Sequence, residues 1–280
     1  MSARTADLHL HTHFSDGTYS PEELAGHAQD HRLSAIALTD HDTVEGCSRM
    51  QAACESRGIE FIPGAELTAD VNGQEVHILG YWLDTTSAPL LSELQRFQIV
   101  RQQRIHEMVA RLNSAGFPLQ VDAVLAAANC AAPGRPHMAR ALVDAGHAND
   151  YDHAFDRFLK KGRIGWVPKA RMSAAEAVRI IHDAHGAAVV AHPGLYRNDG
   201  LIPHLIEAGI DGIECWHTRH SPGACEHYAR VAAQNNLVAT GGSDCHGMAK
   251  GEPLIGSIHL PYCQVEALQA RRPSPTSPVS

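Results

Sequence analysis

The run Ala6-Asp7-Leu8-His9-Leu10-His11-Thr12 reads as an apolar strand ending in two histidines spaced two apart, and it decides the fold. Successive side chains of extended backbone alternate between faces, so His9 and His11 project to the same side, as chelation of one ion requires. Asp16 follows in the adjoining loop. The same ending recurs along the chain. Strands expected at Ser34–His41, Ile59–Leu67, Glu75–Trp82, Ala187–His192 and Leu237–Gly242 end on or carry His41, Glu66, His77 and His192, with Asp244 and His246 just past the last. A seventh strand, Gly212–Trp216, has no expected ligand. Helical patterns separate these runs, and such alternation favours βα units around a parallel sheet, either a closed barrel or a large open α/β sheet. In a parallel barrel the carboxyl ends of the strands share one face, which would gather residues far apart in sequence.

Six imidazoles and three carboxylates exceed the three or four ligands of a single zinc ion, so a cluster of two or three ions is expected. Nitrogen and oxygen ligation without thiolate suits manganese, iron or zinc. His13, Asp7 and Asp40 lie beside ligands and are expected to act behind them, holding a ligand's other nitrogen or moving a proton, with Asp40 and His13 the catalytic candidates. Cys245, between two ligands, should point the other way and pack. His182, His185, His217, His220 and His227 receive no role.

The helix after the first strand starts at Ser20-Pro21-Glu22-Glu23, with Ser20 as N-cap and Glu23 closing a capping box, and should end near His31. The next is expected from Thr43 to Arg57, stopped by Gly58. The pattern changes after Pro89: helices near Leu90–Ala115, Val121–Cys130, His137–Gly146 and Tyr151–Lys161 form an insertion at 90–165 between two barrel parts, 1–89 and 166–265. A helix from Ser173 to His185 follows it. The stretch 266–280, Pro- and Ser-rich from Arg271, reads as a disordered tail. Basic residues gather in the insertion, among them Arg101, Arg104, Arg135 and Lys160. Guanidinium forks match phosphate oxygens, so these, with Arg197 beyond His192, are the candidate substrate-binding residues.

The chain of 280 residues is 44% hydrophobic, enough for a sizeable core. Met1 to Leu10 lacks a signal-peptide pattern and no apolar run reaches eighteen residues, so a soluble cytoplasmic protein without membrane contact is expected. Lys plus Arg is 23 and Asp plus Glu is 31, a net charge of −8 that argues against DNA or long nucleic acid as partner. Seven cysteines, odd in number and without Cys-x-x-Cys, indicate neither a disulfide framework nor a thiolate zinc site.

The motifs Asp7-Leu8-His9-Leu10-His11-Thr12, Ser15-Asp16-Gly17, Thr39-Asp40-His41-Asp42, Gly64-Ala65-Glu66, His77-Ile78-Leu79-Gly80, Ala191-His192-Pro193 and Gly242-Ser243-Asp244-Cys245-His246 resemble those of the PHP (polymerase and histidinol phosphatase) metallophosphoesterases, in order. The resemblance implies an α/β fold, a distorted seven-stranded (β/α)7 barrel with a helical insertion, and a trinuclear centre, often manganese or iron. It implies that His9, His11, Glu66 and Asp244 hold one ion, Glu66, His77 and His192 a second, and Asp16, His41 and His246 a third, Glu66 bridging the first two. Arg101-x-x-Arg104, Gly134-Arg135-Pro136-His137 and Phe158-Leu159-Lys160-Lys161-Gly162 are similar to the bacterial nucleotide phosphatase group. That group implies a phosphatase removing the 3′-phosphate of nucleoside 3′,5′-bisphosphates. The rivals are a 5′-3′ exoribonuclease on short 5′-phosphorylated RNA and a non-catalytic PHP module, which would have lost ligands that this chain keeps.

Overall fold

In the structure, a computed structural model that describes residues 4–168 and 172–273, all seven expected strands form, and two of two residues each join them. They are β1 Thr5–Asp7, β2 Ala35–Leu38, β3 Glu60–Val71, β4 Gln74–Tyr81, β5 Met172–Ser173, β6 Ala187–Val190, β7 Gly212–His217, β8 Val238–Gly242 and β9 Leu260–Pro261. The sheet order is β8-β7-β6-β4-β3-β2-β1-β9, with β5 on β3. Its ends nearly meet: Leu8 N–H donates to Gly241 O at 3.3 Å, and Leu10 bridges Cys245 in parallel. Gly242 allows this approach, because a Cβ there would lie 2.3 Å from that of His9.

One strand runs against expectation. β4 is antiparallel to both β3 and β6. Only Asn72-Gly73 separates β3 from β4, both at positive φ, the two-residue hairpin turn that forces antiparallel pairing, whereas a parallel return needs a crossover of a dozen residues. His77 therefore sits near the start of its strand, and that start lies where the parallel strands finish.

The parallel strands are buried on both faces. Ile36, Leu38, Val190 and Ile213, together with Ile78 of the antiparallel β4, pack with residues of the helices α1 (Pro21–Asp30), α2 (Cys47–Glu55), α7 (Ala174–Asp183), α8 (Ile202–Glu207) and α9 (Pro222–Gln234). Their alternates Ala35, Ala37, Val189 and Ala191 join Val265 and Leu268 of α10 (Tyr262–Gln269). α1 has the expected cap, with Ser20 Oγ accepting from Glu23 N–H and the Glu23 carboxylate accepting from Ser20 N–H. α2 starts at Cys47 rather than Thr43, because Gly46 and the turn before it occupy the place of its first turn. α10 carries helix through Gln269, into the stretch expected to be tail, and residues 274–280 lie outside the described ones.

The insertion comprises α3 (Ala88–Ser114), α4 (Val121–Ala128), α5 (Arg135–Asp144) and α6 (Tyr151–Ala154), the last continuing as a π-helical turn, Phe155–Leu159, where an α-helix to Lys161 was expected. It has its own core of Met108, Leu112, Met138, Leu142, Phe158 and Leu159. α3 belongs to both bodies: Leu90, Leu94 and Phe97 pack in the barrel core and Ile105 to Leu112 in that of the insertion. The passage between them thus falls inside the helix, beyond residue 89. No helix among the described residues is long and apolar enough to cross a membrane.

Candidate metal centre

The nine expected ligands converge at one end of the barrel. His9 and His11 lie on the extended continuation of β1, and His41 follows β2 and bridges Glu66 of β3. His192 follows β6, and Asp244 and His246 follow β8. Four sets place their ligand atoms within 4.8 Å of one another: His11, Asp16, His41 and His246; His9, His11 and Asp244; His9, Glu66 and His192; and His41, Glu66 and His77. Two of these residues stand on left-handed backbone, His192 at φ 30° and Asp244 at φ 54°, which costs about 1–3 kcal/mol each and persists where surroundings enforce it.

Glu66 is the hub. Its Oε2 lies 3.3 Å from His11 Nε2, 3.4 Å from His9 Nε2 and 3.1 Å from His41 Nδ1, and its Oε1 lies 2.7 Å from His77 Nδ1 and 3.2 Å from His192 Nε2. Asp244 Oδ1 adds contacts to His11 Nε2 at 3.2 Å and His9 Nε2 at 3.4 Å, and Asp16 Oδ1 reaches His246 Nε2 at 3.2 Å. Burial opposes the charge of Glu66, yet the surrounding imidazoles, His41 first, hold its carboxyl well below the usual range. Burial likewise opposes protonation of His11, but Asp244 and Glu66 overcome it and lift the ring to about 9.

This donor set fits divalent cations. Neither ring nitrogen of His11 takes part in a hydrogen bond, nor does Nδ1 of His41, although all are buried beside carboxylates. Buried polar atoms are normally paired, and lone pairs that face carboxylates call for positive charge between them.

The residues behind the ligands divide. Asp40 accepts from Thr12 N–H at 2.7 Å, Thr12 Oγ1 at 2.5 Å and Ser15 Oγ at 2.6 Å, so it holds the loop that carries Asp16 rather than an imidazole. Asp7 accepts from Ser243 N–H at 2.8 Å, tying β1 to the end of β8, and burial pushes its carboxyl up to about 6. His13 stacks on Phe14 and lines a separate, smaller cavity of about 330 Å³. Cys245 is buried.

β7 supplies two groups that the sequence reading left out. Glu214, fully buried, lies with Oε1 2.9 Å from His9 Nδ1, and its Oε2 accepts from His192 N–H at 2.7 Å. His217 Nε2 lies 3.5 Å from Asp244 Oδ2. An acid inside the apolar run Gly212-Ile213-Glu214-Cys215 was the available signal, since a buried strand carries a charge only with a partner.

A cavity of about 1040 Å³ opens over the centre, between barrel and insertion. Arg101, Arg104, Arg135 and Lys160 all line it. Arg101 is paired with Asp42, and Lys160 with Asp156. Arg104 donates through Nε to Val167 O at 2.9 Å and has no ion-pair partner among the described residues. Burial, then the neighbouring Arg135, bring its guanidinium down to about 10. Arg197 is exposed and outside the cavity wall, to which the following strand's loop contributes Thr218 and Arg219 instead.

The sequence profile of the PHP domain matches residues 7–157. A 3′,5′-nucleoside bisphosphate phosphatase of Chromobacterium violaceum is 35% identical over 256 residues, 89% of this chain and 90% of that protein. The 5′-3′ exoribonuclease Rnm of Escherichia coli is 34% identical over 248 residues, 86% of this chain and 84% of its own. A solved structure from Bifidobacterium adolescentis, described as a metal-dependent phosphoesterase, superposes with a TM-score of 0.89 over 98% of both chains at 33% identity.

Proposed function

The chain belongs to the PHP domain family of metal-dependent phosphoesterases, and from that premise we propose that it hydrolyses the 3′-phosphate of nucleoside 3′,5′-bisphosphates, giving the 5′-monophosphate and phosphate. One observation carries the proposal: the ligand cluster and a buried arginine without an ion-pair partner among the described residues, Arg104, face the same cavity of about 1040 Å³. Such a volume suits a small ligand, and the two features give separate places for two phosphates.

The nine ligands would hold two or three divalent ions, Mn²⁺ first, with Fe²⁺ and Zn²⁺ as alternatives. Bound there, the ions would polarise the phosphoryl oxygens and activate water. The chain's own residues do the rest. Arg104 and Arg135 bind the 5′-phosphate and so orient the 3′-phosphate toward Glu66 and His192, and the insertion shields the reacting end from bulk solvent. Asp40 fixes the loop that bears Asp16. His13 lines the smaller cavity and not the larger one, so it is given no step in this reaction.

A second reading, exonucleolytic cleavage of short 5′-phosphorylated RNA, is favoured by the smaller cavity, which shares Asp16, Pro136, Tyr151 and Ala249 with the larger one. It offers a leaving nucleoside room beside the ligands. Rates measured side by side on adenosine 3′,5′-bisphosphate, 5′-phosphorylated di- and trinucleotides, AMP and histidinol phosphate test both. The bisphosphate should be fastest. Faster oligonucleotides move the protein to the second reading, and faster histidinol phosphate removes the role given to the arginines.

A further inference from the structure

Glu214 offers one carboxylate to two ligands from different strands. Its Oε1 meets the His9 ring at Nδ1, 2.9 Å away, and its Oε2 accepts the His192 peptide N–H at 2.7 Å. A carboxylate only accepts, so His9 Nδ1 keeps a proton, and it is Nε2 that would give up its proton and offer a lone pair when a cation binds. That lone pair faces Glu66 Oε2 and Asp244 Oδ1, each at 3.4 Å. The second contact holds a residue whose backbone is left-handed, φ 30° and ψ 55°, in the turn that swings the His192 ring to within 3.2 Å of Glu66.

His217, three residues further along the same strand, has a buried side chain that touches the same cluster and resembles a tenth ligand. Its hydrogen bonding says otherwise. Nδ1 accepts from the Arg219 N–H at 3.1 Å, so in the neutral ring the proton sits on Nε2. A nitrogen that carries a proton has no lone pair for a cation. Nε2 makes no hydrogen bond, and its nearest carboxylate oxygen is Asp244 Oδ2, 3.5 Å away, while the other oxygen, Oδ1, faces His9 and His11.

We infer that β7 is the positioning strand of the centre: Glu214 fixes His9 and His192 for Nε2 ligation, and His217 supplies an N–H beside Asp244 that this carboxylate takes up on ion binding, so that His217 orients Asp244 and is not itself a ligand. The inference rests on the metal reading of the cluster. It adds the two residues that decide which nitrogen of His9 and which oxygen of Asp244 turn to the ions.

Titration of chelator-stripped protein with Mn²⁺ alone, with elemental analysis of the loaded form, tests it without reference to turnover. Glu214→Gln replaces one accepting oxygen by a donor and should bind Mn²⁺ roughly ten- to hundredfold more weakly. His217→Phe should keep the wild-type number of ions and bind them more weakly, and His217→Gln, whose amide donates near the place of Nε2, should recover affinity. Unchanged affinity in Glu214→Gln overturns its role, and loss of one ion per chain in both His217 variants makes that residue a ligand. The tautomers can also be read in unmutated protein loaded with Zn²⁺, from the imidazole ¹⁵N shifts, so the inference does not depend on a variant folding. A proton on His9 Nδ1 and on His217 Nε2 supports it, and a proton on His217 Nδ1 refutes it. Wild-type protein that binds neither ion overturns the metal reading and this inference together.

Discussion

Arg101 Nε and Nη2 lie 2.7 and 2.6 Å from the same Asp42 oxygen, Oδ2, in a pair almost closed to solvent. The other Asp42 oxygen accepts from Thr68 N–H at 3.1 Å, and Gln98 on α3 donates to the Asp42 carbonyl at 3.3 Å. The pair therefore clamps the insertion's long helix to the ends of β2 and β3. Arg101→Met should destabilise the protein by about 3–5 kcal/mol, because it leaves a buried carboxylate without its countercharge. Denaturant unfolding measures this. A loss under about 1 kcal/mol, with a raised KM alone, would return Arg101 to direct substrate binding.

Arg104, one helical turn on, should behave in the opposite way. With its pKa brought down to about 10, its charge is penalised in the fold below that pH, and the penalty lifts only as pH rises through it. A bound anion offsets the same penalty. Arg104→Met should leave the unliganded protein within about 1 kcal/mol of wild type but remove most of the thermal stabilisation that AMP confers. A charged hydrogen bond contributes about 1.5–3 kcal/mol, so AMP affinity should fall roughly ten- to hundredfold. Hydrolysis of an aryl phosphate, which has no second phosphate, should be unaffected. Equal losses on aryl phosphate and nucleotide would place Arg104 at the reacting phosphate.

Most of the candidate ligands were legible because they are polar residues at or just past the end of an apolar run, a local signal that needs only the strand period; Asp16, in a loop, and His77, inside β4, are the exceptions. The direction of β4 was written in Asn72-Gly73, yet the alternation of strands and helices outweighed that turn signal. Glu214 and His217 were harder to see, since their roles exist only once β7 lies between β6 and β8 and the closing sheet brings the end of β1 within reach. Spacing showed that Arg101 and Arg104 share a helix face. It could not show that Asp42, 59 residues away, neutralises one and leaves the other without an ion-pair partner among the described residues. Arg197 and Arg219 both follow strands, and only the path of each loop puts the second on the cavity wall.

Without bound cations, the imidazoles are the counterions of the carboxylates. The His11 ring, raised from its ordinary 6.5 to about 9, stabilises the fold fully below about pH 6.5, and that contribution is lost as pH rises through about 9. Cations compete with the same proton, so they bind better as pH rises. The melting temperature in chelator should fall across this window, and the gap between loaded and stripped protein should widen. Melting curves with EDTA and with Mn²⁺ at several pH values give both quantities. A gap independent of pH would mean that ions do not displace the His11 proton.

Three donors converge on Asp40, from the Thr12 amide, the Thr12 hydroxyl and the Ser15 hydroxyl. Asp40→Asn turns one accepting oxygen into an amide NH2 that only donates, so at least one buried donor loses its acceptor, at a cost of about 1–3 kcal/mol. The loosened segment is the one that carries Asp16, whose Oδ1 lies 3.2 Å from His246 Nε2. Turnover should therefore fall while most of the metal stays bound, because Glu66, His9, His77 and Asp244 stand on other segments. If ions are lost, the first should be the one shared by Asp16, His41 and His246. Elemental analysis beside kcat separates the outcomes. A centre emptied by this change would make Asp40 a ligand, and unchanged turnover with reduced stability would show that the Asp16 loop needs no such anchor for catalysis.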